Sequence, residues 1–365
     1  MNIIQLRKKL HQNAELSGKE IKTVQIIKDF INNANYSFNI GKTGIAFVYD
    51  SKSPGKNIML RCDLDALPII EENSFDYASK TNASHLCGHD GHMAILVGLS
   101  KKISVKKGKV ILLFQPEEET GQGAKLVIND KNMIDIDYIF ALHNIPKFNK
   151  NEIIIKEGPF ASASGGMIIK LKGKTSHAGQ PENGISPTLA VCEILKEITN
   201  LKNKFSKGTF ATIIHTKIGE IAFGTSPGEA IVMATLRSFT NKDYTNIKKE
   251  AINLSNKIAK NHNLKIEISW VEEFSSVNNN LKCVKIIKDA AKTNNLNVNY
   301  IQEPFTWSED FGYFTDKYKG AMFGLGSGKD CPNLHNPNYD FPDEIIETGI
   351  KMFNQIINKC QEETK

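Results

Sequence analysis

The chain has 365 residues, with 46 Lys and Arg against 40 Asp and Glu and a formal charge of +6. That length allows two domains, each able to bury a core without disulfides. The lysines are scattered among carboxylates without aromatic interleaving, which argues against nucleic acid, and no window approaches the ~18 consecutive apolar residues of a membrane-spanning helix. Cys62, Cys87, Cys192, Cys283, Cys331 and Cys360 are spread along the chain, and no positively charged start leads into a long apolar stretch. Both features predict a reducing, cytoplasmic home.

Two helices open the chain, "IIQLRKKLHQ" and "SGKEIKTVQIIKDFI". Ser17 followed by Glu20 predicts a capping box, with Ile21, Val24, Ile27 and Ile31 on one apolar face. Four short apolar runs then read as strands: "GIAFVY" (44–49), "NIMLRC" (57–62), "KVILLF" (109–114) and "DYIFAL" (137–142). The third barely alternates, as a strand covered on both faces would not. The helix "GHMAILVGLSKKI" falls between the second and third, so the organisation is α/β. Further on, strand-like and helical stretches between 167 and 273 follow the order βαββαβ of a ferredoxin-like unit. The predicted architecture is one domain over 1–163 and 274–365, interrupted by an inserted domain over 164–273.

The chemistry gathers at strand ends. Asp63 and Asp65 follow "NIMLRC", Glu117, Glu118 and Glu119 follow "KVILLFQP", and His143 follows "DYIFAL". "SHLCGHDGHMAIL" (84–96) crowds Cys87, His89, Asp90 and His92 before a helix, and His335 stands in "NLHNP". Singly, each has a structural explanation, because adjacent glutamates are usually a solvated face and polar residues before a helix are usually caps. Together they converge on the carboxyl ends of strands, where open α/β sheets build their sites. Three imidazoles, a thiolate and a carboxylate suit Zn, Mn, Co or Ni, and five ligands exceed what one tetrahedral ion takes. A pair of divalent ions is predicted.

The motifs "LHQNAELSGKE", "LRCDLDALPI", "HLCGHDGHMA", "LFQPEEETGQGA", "ALHNIP", "GKTSHAGQPENGISP", "WSEDFGYF" and "LHNPNYDFPDE" run almost from end to end. In this order they resemble the co-catalytic metallopeptidase superfamily of aminoacylases and carboxypeptidases, specifically its amidohydrolase branch of hippurate hydrolases, N-acyl-amino-acid amidohydrolases and auxin-conjugate hydrolases. The resemblance implies a catalytic domain with a central mixed sheet flanked by helices, and an inserted ferredoxin-like domain serving as lid and dimerisation module. It implies Cys87, His89, Glu119, His143 and His335 as metal ligands, Glu118 as catalytic base and Asp65 as a group that orients a ligand. It also implies that His177 stabilises the oxyanion in the partner subunit's site of a homodimer. Arg237, on the predicted strand "IVMATLRSF", is a candidate anchor for a substrate carboxylate.

The implied reaction is metal-dependent hydrolysis of the amide of small N-acyl-amino acids. An exopeptidase acting on dipeptides is the alternative within the superfamily, and an inactive metal-loaded binding protein is the alternative outside it. A binding protein would have little need of Glu118 beside Glu119. Cys87, near a helix start predicted around Gly91 and against a metal, is expected to ionise readily. Three departures from the family pattern stand out: Ala14 replaces a common proline, Glu117 a common alanine, and Gly224 an asparagine near the substrate. Strand alternation is expected to turn Glu117 away from the site.

Overall fold

The computed structural model describes residues 1–205 and 207–362, so the last three residues assigned to the first domain, 363–365, lie outside it. Its elements in chain order are helices α1 (Ile3–Gln12) and α2 (Ile21–Phe30), strands β1 (Tyr36–Ile40), β2 (Gly44–Asp50) and β3 (Asn57–Asp63), and helix α3 (His89–Ser100). Then come β4 (Lys109–Gln115), α4 (Gly123–Ile128), β5 (Tyr138–Pro146), β6 (Ile153–Ile155), β7 (Ala163–Lys172), α5 (Thr188–Asn200), β8 (Thr209–Ile218) and β9 (Glu229–Ser238). Last are α6 (Asn241–Asn261), β10 (Lys265–Phe274), α7 (Leu281–Thr293), β11 (Val298–Tyr300), α8 (Gly312–Lys317), β12 (Gly320–Gly328) and α9 (Ile346–Glu362). Contacts divide the chain into two units. One comprises Met1–Phe160, Val277–Pro304 and Glu309–Lys365; the other comprises Ala161–Ser276 and Phe305–Ser308.

The first unit is built on an eight-stranded sheet of order β1-β2-β4-β3-β5-β12-β6-β11. Its middle strands β4, β3, β5 and β12 are mutually parallel, whereas β1, β2 and β6 pair antiparallel with the neighbours that lead toward the middle. This is the mixed sheet the resemblance implies. Parallel strands need cover on both faces, and the unbroken apolar runs of β4 and β5 are buried almost throughout. Helix α3 is buried at every position, including the polar His89, Asp90 and His92 of its first turns, and the residues that follow are mainly apolar. It contacts α1, α9 and β3.

The second unit carries a four-stranded antiparallel sheet of order β8-β9-β7-β10, the arrangement of a βαββαβ unit. Along β9 the inward residues Ala230, Val232, Ala234 and Leu236 alternate with partly exposed ones, and α5 and α6 contribute Val191, Ile194, Ile247 and Ala251 to the same core. Strands β7 and β10 pair at Ser164 and Phe274, and the Ser276 hydroxyl donates to the Ala161 carbonyl at 3.0 Å. The first and last residues of this inserted stretch therefore lie side by side.

One local expectation fails for a long-range reason. Helix α2 begins at Ile21 with no side-chain cap, and Ile21 itself is exposed. The Ser17 hydroxyl donates instead to Asp65 at 2.6 Å, and Glu20 accepts the amides of Gly18 and Glu117 and the hydroxyl of Thr43. Both residues of the S-x-x-E pattern serve tertiary contacts. Val24, Ile27 and Ile31 are buried as expected.

A buried charge cluster fastens α1 beneath α3. Arg7 pairs with Asp90 (3.0 Å), Asp340 (2.7 Å) and Asp343 (2.6 Å), and the His11 ring meets Asp90 through Nδ1 at 2.9 Å and Glu71 through Nε2 at 3.1 Å. Burial opposes charge on His11, but Asp90 and Glu71 outweigh it and raise its pKa from 6.5 to about 9. A raised folded pKa stabilises the protein fully below the unfolded value and ceases to do so as pH climbs through the folded one. Metal-free protein should therefore lose stability between about pH 6.5 and 9 in a step that His11→Gln makes smaller. Thermal melts of both proteins across that range test this, and parallel profiles would refute it.

Candidate metal centre

Because β4, β3, β5 and β12 run parallel, their carboxyl ends meet at one edge of the sheet. Strand β3 ends at Asp63, two residues before Asp65, and β4 ends at Gln115, just ahead of Glu118 and Glu119. The loop after β12 brings His335, whose backbone N–H donates to the Leu86 carbonyl at 2.9 Å and so pins it beside Cys87. Two boundaries differ from the sequence reading. His143 sits inside β5, paired with Gly324 of β12, because the ladder between these strands continues to Pro146. Helix α3 starts at His89 rather than near Gly91, after Gly88 in the left-handed region at φ 87°.

The five candidate ligands come together as two triads that share Cys87. Ligand atoms of Cys87, His89 and His143 lie within 4.8 Å of one another, as do those of Cys87, Glu119 and His335. Glu118 joins His89 and Glu119 in one cluster and Glu309 and Asp310 in another. His89 and His143 are buried, and their Nδ1 atoms are held by backbone carbonyls at 2.9 Å, those of Asp65 and Asn144 respectively. A ring that donates through Nδ1 presents a lone pair at Nε2. The two Nε2 atoms face the cluster, that of His143 3.6 Å from the Cys87 sulfur.

Asp65 organises the carboxylates. Its side chain accepts the backbone N–H groups of Glu118 at 3.1 Å and Glu119 at 3.0 Å. The preceding residue, Glu117, makes this possible by adopting a positive φ of 53°. Successive amides after such a residue form a concave nest for an anion. Glu117 is turned away from the site, toward Gly18 and Lys42, by this left-handed turn beyond the strand end, not by strand alternation.

Charge in the pocket is unbalanced. Arg61, fully buried, pairs with Asp63, with Glu309 at 2.9 Å and with Asp310 at 2.6 Å, and its Nε donates to Gln115 at 2.8 Å. Burial, helped by Glu309 and Glu119, pushes the Glu118 carboxyl well above the usual carboxylate range, and burial with the His89 ring opposing brings Glu119 up to about 8. His89 is raised to about 9: burial disfavours its charge, but Asp63, Glu119 and Asp65 prevail. Cys87 departs from expectation, since burial and the nearby Glu119 and Glu118 push its thiol up in the absence of a cation. Its proximity to a helix start does not offset them.

These observations fit a divalent cation. Nε2 of His89 and Oε1 of Glu119 are buried without a hydrogen-bonding partner, which is costly unless something occupies the space between them. Sulfur, imidazole and carboxylate form the donor set that Zn, Mn, Co or Ni accepts. Protons on these same groups are what a cation would displace.

His177 and Arg237 belong to the second unit. The Gly179 N–H donates to His177 Nδ1 at 3.0 Å, so the neutral ring carries its proton on an exposed Nε2. Arg237 donates to the Ser308 hydroxyl at 2.9 Å and the Thr306 carbonyl at 3.2 Å, and no carboxylate pairs with it among the described residues. Burial alone lowers its pKa. A Cβ at Gly224 would meet nothing within 4 Å, so lack of room does not explain a glycine there. Ser17, expected as a helix cap, and Arg61, Glu309 and Asp310 also make site contacts, the last two from within "WSEDFGYF".

Residues 59–359 match peptidase family M20/M25/M40. The chain is 30% identical over 359 residues to the N-acetyl-L-cysteine deacetylase of Bacillus subtilis, covering 95% of this chain and 84% of the relative. It is 28% identical to the hippurate hydrolase of Campylobacter jejuni, covering 97% and 95%. Among solved structures, a dinuclear metal-binding peptidase of the M20 family from Bacillus subtilis superposes with a TM-score of 0.85 at 25% identity, covering 99% and 98%.

The charge balance generates a stability prediction. Arg61→Met strands Asp63, Glu309 and Asp310 in a buried pocket and should cost about 3–5 kcal/mol in urea unfolding of metal-free protein. An unchanged midpoint would mean that these carboxylates do not depend on the guanidinium.

Proposed function

This chain belongs to peptidase family M20/M25/M40 and is a metal-dependent amidohydrolase; on that premise we propose that it cleaves small N-acyl-amino acids into a carboxylic acid and a free amino acid. Both relatives named above, by their names, remove an acyl group from an amino acid. The observation that carries the reading is the divergence of two consecutive glutamates. Glu119 clusters with Cys87 and His335, whereas Glu118 also reaches toward Glu309 and Asp310.

Cys87, His89, Glu119, His143 and His335 would hold two divalent ions. When bound, such ions supply Lewis acidity, which makes water nucleophilic near neutral pH and draws charge onto a carbonyl oxygen. The chain does the remaining work. Asp65 fixes the Glu118 backbone while the Asp310 N–H lies 3.5 Å from Glu118 Oε1, leaving Oε2 toward His89 at 4.0 Å. Oε2 takes the proton of the attacking water and returns it to the leaving nitrogen, without which an amide anion would have to depart. Arg237, lacking a carboxylate of its own, offers a guanidinium to the substrate carboxylate.

His177 would donate its Nε2 proton to the developing oxyanion, acting in the partner subunit of a homodimer formed through the second unit. The exposed, proton-bearing Nε2 supports a donor role. Its removal should cost about 10²–10³ in kcat.

Chelation should abolish hydrolysis, and Mn, Co or Zn should restore it. Glu118→Gln should retain metal and lose turnover by about 10²–10⁴ or more, while Glu119→Gln loses metal affinity. Metal titration of the two variants separates the roles, and equal metal loss in both would reverse the assignment. Substrate class is read from a panel of N-acetyl-, N-benzoyl- and N-succinyl-amino acids set against dipeptides; preference for dipeptides would overturn the proposal. For the subunit question, inactive His177→Ala and Glu118→Ala proteins are mixed under exchange. Recovered activity is expected, and none despite exchange would place His177 outside the partner's site.

A further inference from the structure

We propose that His92, Asn144 and Tyr339 form a buried strut that positions the metal-binding segments relative to one another. The inference rests on the two-metal reading above and assigns residues that none of the ligand roles uses.

The three residues come from three of the four segments that must agree for the triads to form. His92 lies one turn along α3 from His89, Asn144 follows His143 on β5, and Tyr339 is in the loop that carries His335. All three are buried, with exposures of 1%, 0% and 0%. The His92 Nε2 meets the Asn144 side-chain oxygen closely, and the Asn144 backbone N–H points at the same nitrogen from 3.3 Å. The Asn144 amide nitrogen donates in turn to the Tyr339 hydroxyl. At its other end the His92 ring faces Asp63, with Nδ1 3.5 Å from Oδ2. The hydrogen-bonded chain thus runs from α3 through β5 to the His335 loop, with Asp63 of β3 near its α3 end but not hydrogen-bonded to His92.

Ring packing adds to it. His92 stands edge-on to His143, with centroids 4.8 Å apart at 78°, and lies 5.5 Å from the ring of His89. A shift of His92 therefore moves both ligand rings. Gly88 shows how tightly the segments are clasped, because a Cβ there would sit 2.7 Å from the Asn144 amide nitrogen. A polar chain with no access to water tolerates no member that loses its partner, so it admits one arrangement of the segments and resists others. Groups that orient ligands typically contribute 10–100-fold to metal affinity.

The test is Co²⁺ titration of the metal-free protein followed by visible absorption, with melts of each metal-free variant as a folding control. Wild type should take up two equivalents. Tyr339→Phe, which removes one oxygen, should bind at least one equivalent about 10–100-fold more weakly while remaining folded. His92→Ala should lose as much, and His92→Gln, whose amide reaches Asn144 from the position of Nε2, should recover most of it. Affinities equal to wild type in folded Tyr339→Phe and His92→Ala would overturn the strut. So would the loss of a whole equivalent in His92→Gln, which would make His92 a ligand; if Tyr339→Phe does not fold, the two His92 variants decide. Failure of wild type itself to bind Co²⁺ would instead sink the two-metal reading.

Discussion

The amides of Glu118 and Glu119 both donate to the carboxylate of Asp65, and those two hydrogen bonds decide where a pair of consecutive glutamates ends up. They act with the Glu117 N–H bond to Glu20 to hold the turn after β4, in which Glu117 has a positive φ. With them, the side chains of 118 and 119 diverge from a fixed backbone, one toward Cys87 and His335 and the other toward Glu309 and Asp310. The Asp65 carbonyl meanwhile accepts from His89 and sets that ring's orientation. One residue thus joins the ends of two parallel strands to the start of the buried helix. Ser17, reaching over from the loop before α2, completes its coordination.

Around this anchor the fold accumulates more negative charge than it neutralises. Arg61 is buried among Asp63, Glu309 and Asp310, while among the described residues Glu118 and Glu119 have only the rings of His89 and His335 as basic neighbours, at 3.9–4.0 Å. Burial of carboxylates without a cationic partner is expensive, and it pushes the pKa of both Glu118 and Glu119 upward. The pocket is thereby poised between protons and divalent ions, which compete for the same atoms. Next to His89 on α3, by contrast, Asp90 belongs to a cluster in which each of four carboxylates, Asp90, Asp340, Asp343 and Glu71, meets Arg7 or His11.

Much of this was legible in the sequence because the relevant signals are local. Unbroken apolar runs marked the parallel strands, and "CGHDGH" placed a thiol and imidazoles at a helix start whose position shifted by only two residues. What escaped depends on partners far away. Ser17 and Glu20 have the spacing of a cap, and nothing nearby announces that Asp65, Thr43 and Glu117 claim them. Arg61 meets Asp310 across 249 residues, a pairing that no window of sequence contains. Cys87 misled for a related reason: helix proximity is visible in sequence, but the burial and the carboxylates that outweigh it are products of the tertiary fold. Strand β1 was missed because its residues, mostly exposed, lack an apolar run.

The adjacency of Ala161 and Ser276 gives the inserted stretch a modular character. Chain enters and leaves it at neighbouring points, so it behaves topologically like a long loop whose two ends nearly touch. The closure entropy of such a loop grows only slowly with length. Additions or deletions within it need not disturb the strands that carry the metal-binding residues. Lineages descended from such an ancestor would be free to lengthen or shorten the loops of the insert while inheriting the sheet edge unchanged.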